Sequence, residues 1–391
     1  MIKLIKSTFY KEEETKNELM QFIKKANILS FSSECQKFEK KFAKYQGRKY
    51  SVFLNSGSSA NLAIIQTLIN LGYLRKGDSV GFSSVTWSTN VMPLIELGLL
   101  PVPVDVELNT LNVSSKTFTD VLKKTSLKAL FLTNLLGFCD DIDKIRHICK
   151  RNNIVLIEDN CESLWTVYRR KKLGNYGIAS TFSFYVGHHM STIEGGAVCT
   201  DNEKIYTMLN LVRAHGWDRN LSLSRQNKIR KTFKINSEFY SRYTFYDLGY
   251  NLRPTEIAGF LGNYQLAFLD EITHKRNKNF LKIVSIIYNS KKYLPVKYNH
   301  ISFVSNFAIP IICKDKKVKD EIVKKCAGRV EIRPIVGGNM IQQPFFKYSV
   351  HPFTRLFESK NAKFIHEHGL YFGNNPDLTD SEINELISIF K

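Results

Sequence analysis

Short apolar runs alternate with amphipathic stretches along the first half of the chain. The apolar runs predict buried strands at 51–54, 79–82, 102–106, 129–133 and 154–157. Apolar residues three or four positions apart predict helices around 12–25, 38–43, 62–69 and 142–149, and a longer helical stretch from Thr255 to Leu269. Strands that alternate with helices are typical of an α/β protein with a mostly parallel sheet.

One segment in the middle of the chain concentrates reactive side chains. Residues 181–185 alternate polar and apolar positions like a strand, and Gly195 and Gly196 predict a turn before a short strand at 197–200. The segment between them carries two adjacent imidazoles, His188 and His189, and a carboxylate. The histidines are therefore expected where a sheet ends.

A small-residue turn at 55–61 follows the first predicted strand and precedes a helix. Such a turn directs unpaired backbone N–H groups and the positive end of a helix dipole at one point, which suits a phosphate. Taken alone, serine and glycine at a helix start are more often an ordinary cap. The residues by themselves leave both interpretations open.

Carboxylates follow the predicted strand at 154–157. Glu158, Asp159 and Glu162 would lie at the carboxyl end of a parallel strand, where ligands bind in open α/β sheets. A carboxylate buried at such a place is costly unless it is paired, for example with a protonated histidine. We therefore predict that Glu162 and His188 work together; the alternative is a solvated carboxylate at a strand end.

The central segment resembles the active-site segment of the DegT/DnrJ/EryC1/StrS family of pyridoxal-phosphate sugar aminotransferases. That family reads Ser-Phe, three variable residues, lysine, then Thr and Glu-Gly-Gly, and His188 occupies the lysine position. The resemblance extends from Phe38 to Ile389. It implies fold type I, an α/β architecture with a large, mostly parallel sheet domain at 1–248 and a smaller C-terminal α+β domain at 249–391.

The resemblance also implies roles for individual residues around the cofactor. Gly57, Ser58 and Ser59 would bind its phosphate, Trp87 would lie over its ring, and Asp159 would keep its pyridine nitrogen protonated. The remaining residues assigned to the cofactor are Glu162, Ser183 and Asn251, the last of which reaches the neighbouring subunit in the family. A homodimer with shared active sites follows from the role of Asn251.

His188 changes the expected chemistry. A lysine amine forms a Schiff base with the cofactor aldehyde, which imidazole cannot do, whereas imidazole can still act as an acid or base near neutral pH. The cofactor is therefore expected to bind without a covalent bond. The histidine variant is similar to the sugar 3-dehydratase branch of the family, and Glu162 is a second candidate catalytic residue that marks this branch.

The implied reaction removes the C3 hydroxyl of a nucleotide-linked 4-keto-6-deoxyhexose, with GDP-4-keto-6-deoxymannose favoured by the branch. Pyridoxamine phosphate would be the active form and L-glutamate would restore it. Substrate contacts are predicted for His215, Arg219 and Arg333, although each could equally be a surface residue. The alternatives are an aminotransferase that recruits another base and a homologue that binds the cofactor without catalysis.

Composition and charge bear on other possible partners and on the location of the protein. The net charge of +20 suits either nucleic acid or a diphosphate substrate, but the basic residues are dispersed and form no nucleic-acid motif, so we expect no nucleic-acid partner. The cysteines are dispersed along the chain. Their spacing therefore predicts no disulfide framework, no metal site and no iron–sulfur cluster. We find neither a signal peptide nor a run long enough to span a bilayer, and we expect a cytoplasmic protein without membrane contact.

Overall fold

A computed structural model describes residues 1–391, apart from the side chain of Arg355. The strands of its first part are β1 (Tyr50–Leu54), β2 (Ser79–Ser83), β3 (Leu100–Val104), β4 (Ala129–Thr133), β5 (Val155–Asp159), β6 (Val167–Tyr168), β7 (Lys171–Lys172), β8 (Ala179–Ser183) and β9 (Gly196–Thr200). The helices of the same part are α1 (Glu12–Lys25), α2 (Ser33–Gln46), α3 (Gly57–Asn70), α4 (Met92–Glu96), α5 (Ser115–Leu122), α6 (Ile142–Arg151), α7 (Glu203–Arg213), α8 (Leu223–Thr232) and α9 (Glu238–Ser241).

Seven of these strands form one sheet in the order β1-β9-β8-β5-β4-β2-β3. Strands β2, β3, β4, β5 and β8 pair in parallel, whereas β9 is antiparallel to both β1 and β8. Their side chains are buried almost throughout, because helices cover both faces of a parallel sheet. The large, mostly parallel sheet predicted from the sequence is confirmed.

A smaller antiparallel sheet follows in the second part. Its order is β10-β12-β14-β13, and a separate three-stranded sheet in the order β11-β6-β7 joins the two parts of the chain. The strands are β10 (Tyr293–Leu294), β11 (Ile301–Phe303), β12 (Ala308–Cys313), β13 (Ile332–Pro334) and β14 (Gly369–Gly373). The helices are α10 (Glu256–Gln265), α11 (Leu269–Ile287), α12 (Lys316–Cys326), α13 (Pro344–Ser349), α14 (Lys360–His368) and α15 (Asp380–Phe390).

Helix α10 packs against α2 in the first part of the chain. The Glu256 carboxylate accepts hydrogen bonds from the backbone N–H groups of Ser32, Glu34 and Cys35, which lie at the start of α2. A carboxylate at this end of a helix satisfies N–H groups that lack partners within the helix. The domain boundary between 248 and 249 stays a prediction.

Two predicted elements end earlier than expected. The helical stretch from Thr255 to Leu269 is divided, because α10 ends at Gln265 and a 3-10 turn at Leu266–Phe268 precedes α11. The alternation at 181–185 continues past the end of β8 at Ser183, whose ladder partner in β9 is Gly196. Residues 184–195 therefore form a loop between two adjacent strands, and this loop carries His188.

Candidate active site

A cavity of about 400 Å³ lies at the carboxyl ends of the parallel strands. It is lined by eight of the residues predicted for the site, namely Gly57, Ser58, Trp87, Asp159, Glu162, Ser183, His188 and Arg333. These residues come from β5, β8, the start of α3 and the loops after β2, β5 and β8, and only Arg333 comes from the smaller sheet. This is the edge where an open α/β sheet binds its ligands.

Asp159 is a buried carboxylate whose two oxygens both accept hydrogen bonds. Its Oδ2 accepts from Asn90 Nδ2 at 2.8 Å and from Asn61 Nδ2 at 3.1 Å, and its Oδ1 accepts from the Cys161 N–H at 2.9 Å. Asn90 is oriented in turn by the Thr86 hydroxyl, which donates to its Oδ1 at 2.8 Å. Several donors on one carboxylate stabilise its charged form at the wall of the cavity.

The start of α3 brings backbone N–H groups to the same cavity. Ser56 caps the helix, since its side-chain oxygen accepts from the Ser59 N–H at 3.0 Å, while Gly57 and Ser58 line the cavity. A Cβ atom at Gly57 would lie 2.6 Å from Ser183 Cβ, so only glycine fits here. Of the three residues predicted for the phosphate, Ser59 serves the cap and does not line the cavity.

Glu162 lies on the cavity wall and is 8% exposed. Burial, and to a lesser degree the neighbouring charge of Asp159, raises the pKa of this carboxyl to about 8, although a hydrogen bond from the Leu136 N–H at 2.9 Å opposes the shift. Leu136 holds a left-handed backbone conformation with φ of 51°, within a 3-10 turn that presents this N–H. Glu162 is therefore protonated at neutral pH.

His188 lines the cavity with its ring between Tyr185 and Phe307, whose ring centres lie 5.8 and 5.1 Å away. Burial lowers the pKa of His188 to about 4; the charge of Arg276 lowers it further, whereas Asp159 opposes the change. The imidazole is thus neutral at pH 7 and available as a base. Among the described residues its Nδ1 has no hydrogen-bond partner.

Glu162 and His188 share the cavity, but the described residues include no hydrogen bond between them. The predicted partnership rested on Glu162 being charged and needing a cation. Instead, the carboxyl keeps its proton and accepts a backbone N–H, so no imidazolium is required to balance it.

Three other predicted residues lie outside this cavity in the single chain. The His215 ring packs edge-on against Trp217, and the Arg219 guanidinium lies over Trp217 at 4.3 Å and over Tyr243 at 5.1 Å. Asn251 is exposed, and its Oδ1 accepts from Arg253 Nε at 2.9 Å. These contacts form an exposed aromatic and cationic surface beside the start of α10.

Arg333 and Trp87 are open to solvent at the cavity. The Arg333 side chain is 56% exposed and forms an ion pair with Glu331, and Trp87 is 52% exposed. An exposed aromatic face and a guanidinium beside a cavity can contact a flat ring and a phosphate respectively.

Sequence reasoning missed Asn61, Asn90, Phe307 and Tyr371, all of which line the cavity. Asn61 carried the clearest signal, since it is a polar residue that is 1% exposed near the start of α3, beside the turn predicted to bind a phosphate. Tyr371 lies on β14 in the smaller sheet, where Arg333 was the only residue predicted for the site.

The residues present fit a flat, nitrogen-containing aromatic cofactor with a phosphate. Asp159 supplies a fully hydrogen-bonded carboxylate for a protonated ring nitrogen, and the start of α3 supplies N–H groups for an anion. No group of three or more His, Cys, Asp or Glu side chains within the described part of the chain could hold a metal ion. Fold and site together define a fold-type-I pyridoxal-phosphate protein.

The chain belongs to the DegT/DnrJ/EryC1/StrS aminotransferase family, whose model matches residues 10–391. It is 36% identical over 390 residues to GDP-4-keto-6-deoxy-D-mannose 3-dehydratase of Yersinia pseudotuberculosis, covering 97% of this chain and 96% of that protein. It is 33% identical over 381 residues to the enzyme of the same name from Escherichia coli O55:H7, covering 95% of each.

Solved structures give the same result. A crystal structure of GDP-4-keto-6-deoxymannose-3-dehydratase with a trapped PLP–glutamate geminal diamine superposes with a TM-score of 0.88 at 32% identity, covering all of both chains. A mutant of that enzyme with bound GDP-perosamine also gives a TM-score of 0.88, at 30% identity. The family predicted from the sequence is confirmed.

Proposed function

We propose that this protein is a pyridoxamine-phosphate-dependent dehydratase that removes the C3 hydroxyl of GDP-4-keto-6-deoxymannose during deoxysugar biosynthesis. The observation that carries the proposal is a neutral, half-buried imidazole at 188, in the cavity that also holds Asp159 and the start of α3. The similarity to the 3-dehydratases of Yersinia pseudotuberculosis and Escherichia coli supports the substrate.

Asp159 and α3 bind and orient the cofactor. When bound, pyridoxamine phosphate supplies an amine for the sugar ketone and a ring that accepts electrons. The Asp159 carboxylate, fixed by Asn61 and Asn90, holds a proton on the ring nitrogen. Gly57 and Ser58 bind the phosphate through the N–H groups at the start of α3.

His188 moves the proton that the reaction needs. Its low pKa keeps the ring neutral, so it can accept a proton from the methylene carbon of the cofactor. It can then donate this proton to the C3 hydroxyl, which leaves as water. Tyr185 and Phe307 contact the ring and restrict its orientation. Glu162, protonated, places an O–H donor on the same wall without adding negative charge beside Asp159.

No lysine lines the cavity among the described residues, so no side-chain amine there could form a Schiff base with a cofactor aldehyde. This favours dehydration over transamination, because the amine transfer of the family uses such a lysine. A cofactor would be held here by non-covalent contacts with Asp159 and the start of α3, and L-glutamate would supply the amine that restores its amine form.

The functional unit is a homodimer that works in the cytoplasm. Asn251, His215 and Arg219 lie outside the cavity of their own chain, on a surface with exposed Tyr240 and Tyr243. In a dimer with shared sites these residues reach the partner's cofactor phosphate and nucleotide sugar, and Arg333 contacts the sugar nucleotide within its own cavity.

Incubation with pyridoxamine phosphate, L-glutamate and GDP-4-keto-6-deoxymannose tests the reaction. We expect a 3-deoxy sugar and one equivalent of ammonia, measured by mass spectrometry and a coupled ammonia assay. Accumulation of a 4-amino sugar would contradict the proposal. Replacing GDP with dTDP in the substrate tests the nucleotide.

His188→Lys tests the role of the imidazole. The variant should bind pyridoxal phosphate covalently, with a new absorbance band and a mass increase after borohydride reduction, and should lose dehydration about 10²–10⁴-fold. His189→Asn is the matched control, since it changes the neighbouring imidazole, and it should show neither covalent cofactor nor a loss of that size.

A further inference from the structure

A second, smaller cavity lies behind His188. Its volume is about 40 Å³, and Leu4, Ile5, His188 and Phe307 line both it and the active-site cavity. These residues therefore form the wall between the two spaces. On its far side the second cavity is lined by Arg276 of α11.

Arg276 is a buried cation with unused donors. It is 7% exposed, and its Nη2 donates to the His188 carbonyl oxygen at 3.0 Å. Its Nε and Nη1 are buried and have no hydrogen-bond partner among the described residues. A buried guanidinium normally uses several of its five N–H donors in hydrogen bonds.

Within the described part of the chain, no carboxylate lies within ion-pair distance of Arg276. Asp377 lines the same cavity, but it lies at the mouth, where its Oδ1 is 4.0 Å from Lys275 Nζ. Burial lowers the pKa of Arg276 to about 9, which leaves it protonated at neutral pH. Asp377 stabilises this charge only from beyond ion-pair distance, and a buried cation without a close partner attracts a counterion.

The neighbouring histidine adds no second positive charge to the cavity. His189 Nε2 lies 3.1 Å from the Ser305 carbonyl oxygen, which can only accept, so Nε2 carries the hydrogen. Burial and the charge of Arg276 lower the pKa of His189 well below its usual value. The ring is neutral, and Arg276 provides the positive charge of the cavity.

We infer that this cavity binds a monovalent anion of halide size against Nε and Nη1 of Arg276. A space of about 40 Å³ is larger than the roughly 10–15 Å³ that a cavity needs to hold one water molecule, so it can accommodate a single halide-sized ion. The anion would neutralise Arg276 and fix the loop 184–195 through the bond to the His188 carbonyl.

Crystals of the wild-type protein soaked in sodium bromide test the site directly. We expect an anomalous difference peak within about 3.5 Å of the two free guanidinium nitrogens, a distance consistent with a charge-assisted contact. Absence of the peak at that place, or a water molecule alone, would overturn the inference.

Thermal unfolding supplies a readout that does not depend on activity. Because a ligand of the folded state stabilises it by mass action, the Tm should rise and then saturate when chloride replaces gluconate at constant ionic strength. Arg276→Met should abolish this response and Arg276→Lys should weaken chloride binding at least fivefold. Lys278→Met removes an exposed cation from the same helix and should respond as wild type.

The outcomes remain distinct if Arg276→Met fails to fold. Arg276→Lys keeps the charge, and the wild-type bromide and chloride measurements need no variant. A bromide peak without any chloride-dependent Tm would indicate binding at crystal concentration only and would overturn the inference. Neither measurement depends on the dehydration reaction, so this site and the proposed function can fail separately.

Discussion

Asp159 and Glu162 are two buried carboxyl groups three residues apart at the end of β5, and they hold different charges. Asp159 accepts hydrogen bonds from two asparagine side chains and one backbone N–H. Glu162 accepts from one backbone N–H, and its pKa is raised to about 8. The number of donors, more than the depth of burial, separates a charged anchor from a neutral acid.

One charged and one neutral carboxyl group suit the proposed chemistry. A second full charge beside Asp159 would compete for the ring nitrogen's proton and for the protonated form of His188. A neutral acid at Glu162 avoids this competition and leaves His188 to give its proton to the leaving oxygen. Four substitutions alter one side of the comparison at a time.

Asp159→Asn should have the largest effect, because it removes the charged member of the pair. We expect dehydration to fall about 10²–10³-fold, the size of effect that a preorganised electrostatic contact produces. The measurement is steady-state kinetics at saturating pyridoxamine phosphate. Asp159→Asn should also lose the proton on the cofactor ring nitrogen, which is visible in the cofactor absorbance spectrum. Glu162→Gln, which removes no charge at neutral pH, is the matched comparison and should keep the wild-type spectrum.

Glu162→Gln should change how stability depends on pH. The folded protein holds this proton up to about pH 8, whereas the unfolded chain releases it near ~4.3. The free energy of unfolding therefore contains a contribution that is complete below pH ~4.3 and is lost as the pH rises towards 8.

Urea unfolding at pH 5 and pH 8 measures this contribution. We expect the decline between the two values to be smaller in Glu162→Gln than in wild type by about 3 kcal/mol. Glu358→Gln, at an exposed position, should keep the wild-type decline. An unchanged decline in Glu162→Gln would mean that Glu162 is charged in the folded protein.

Asn90→Ala should make Asp159 more like Glu162, because it leaves the carboxylate with fewer hydrogen-bond donors. It removes the 2.8 Å donor, and a hydrogen bond to a charged group contributes about 1.5–3 kcal/mol. The cofactor Kd, measured by fluorescence titration, should increase at least about tenfold. Asn152→Ala, on the exposed surface, is the control and should bind the cofactor as wild type does.

Asn61→Ala should give the smallest effect. The Asn61 amide lies 3.1 Å from Asp159 and also 3.3 Å from the Thr89 hydroxyl, so its contact with the carboxylate is longer and shared. We expect a cofactor Kd about threefold higher, which corresponds to an ordinary hydrogen bond. An effect larger than that of Asn90→Ala would reverse the order that the distances give.

The sequence predicts most of this architecture but little of the reason why Asp159 is charged. The apolar pattern gives the strands, and the family resemblance gives Asp159 and His188. Asn61 and Asn90 lie on different elements, and only the packing of α3 beside the loop after β2 brings both to one oxygen. No periodicity reveals such a contact.

The partner of Glu162 was missed for a related reason. Its donor is the backbone N–H of Leu136, and any residue could supply that group. The left-handed conformation that presents it belongs to a leucine, which carries no turn signal. Ser59 likewise matches the family's phosphate segment, yet its N–H is used by the Ser56 cap.

Loop 184–195 begins and ends on neighbouring ladder partners, Ser183 and Gly196. The pairing of β8 with β9 therefore fixes both ends of the loop. Exchanging this loop alone between a lysine-bearing relative and this chain would replace residue 188 and Tyr185 together, while Phe307, Arg276 and Asp159 stay in place. Such a chimaera would show how much of the reaction type resides in the loop and how much in the residues around it.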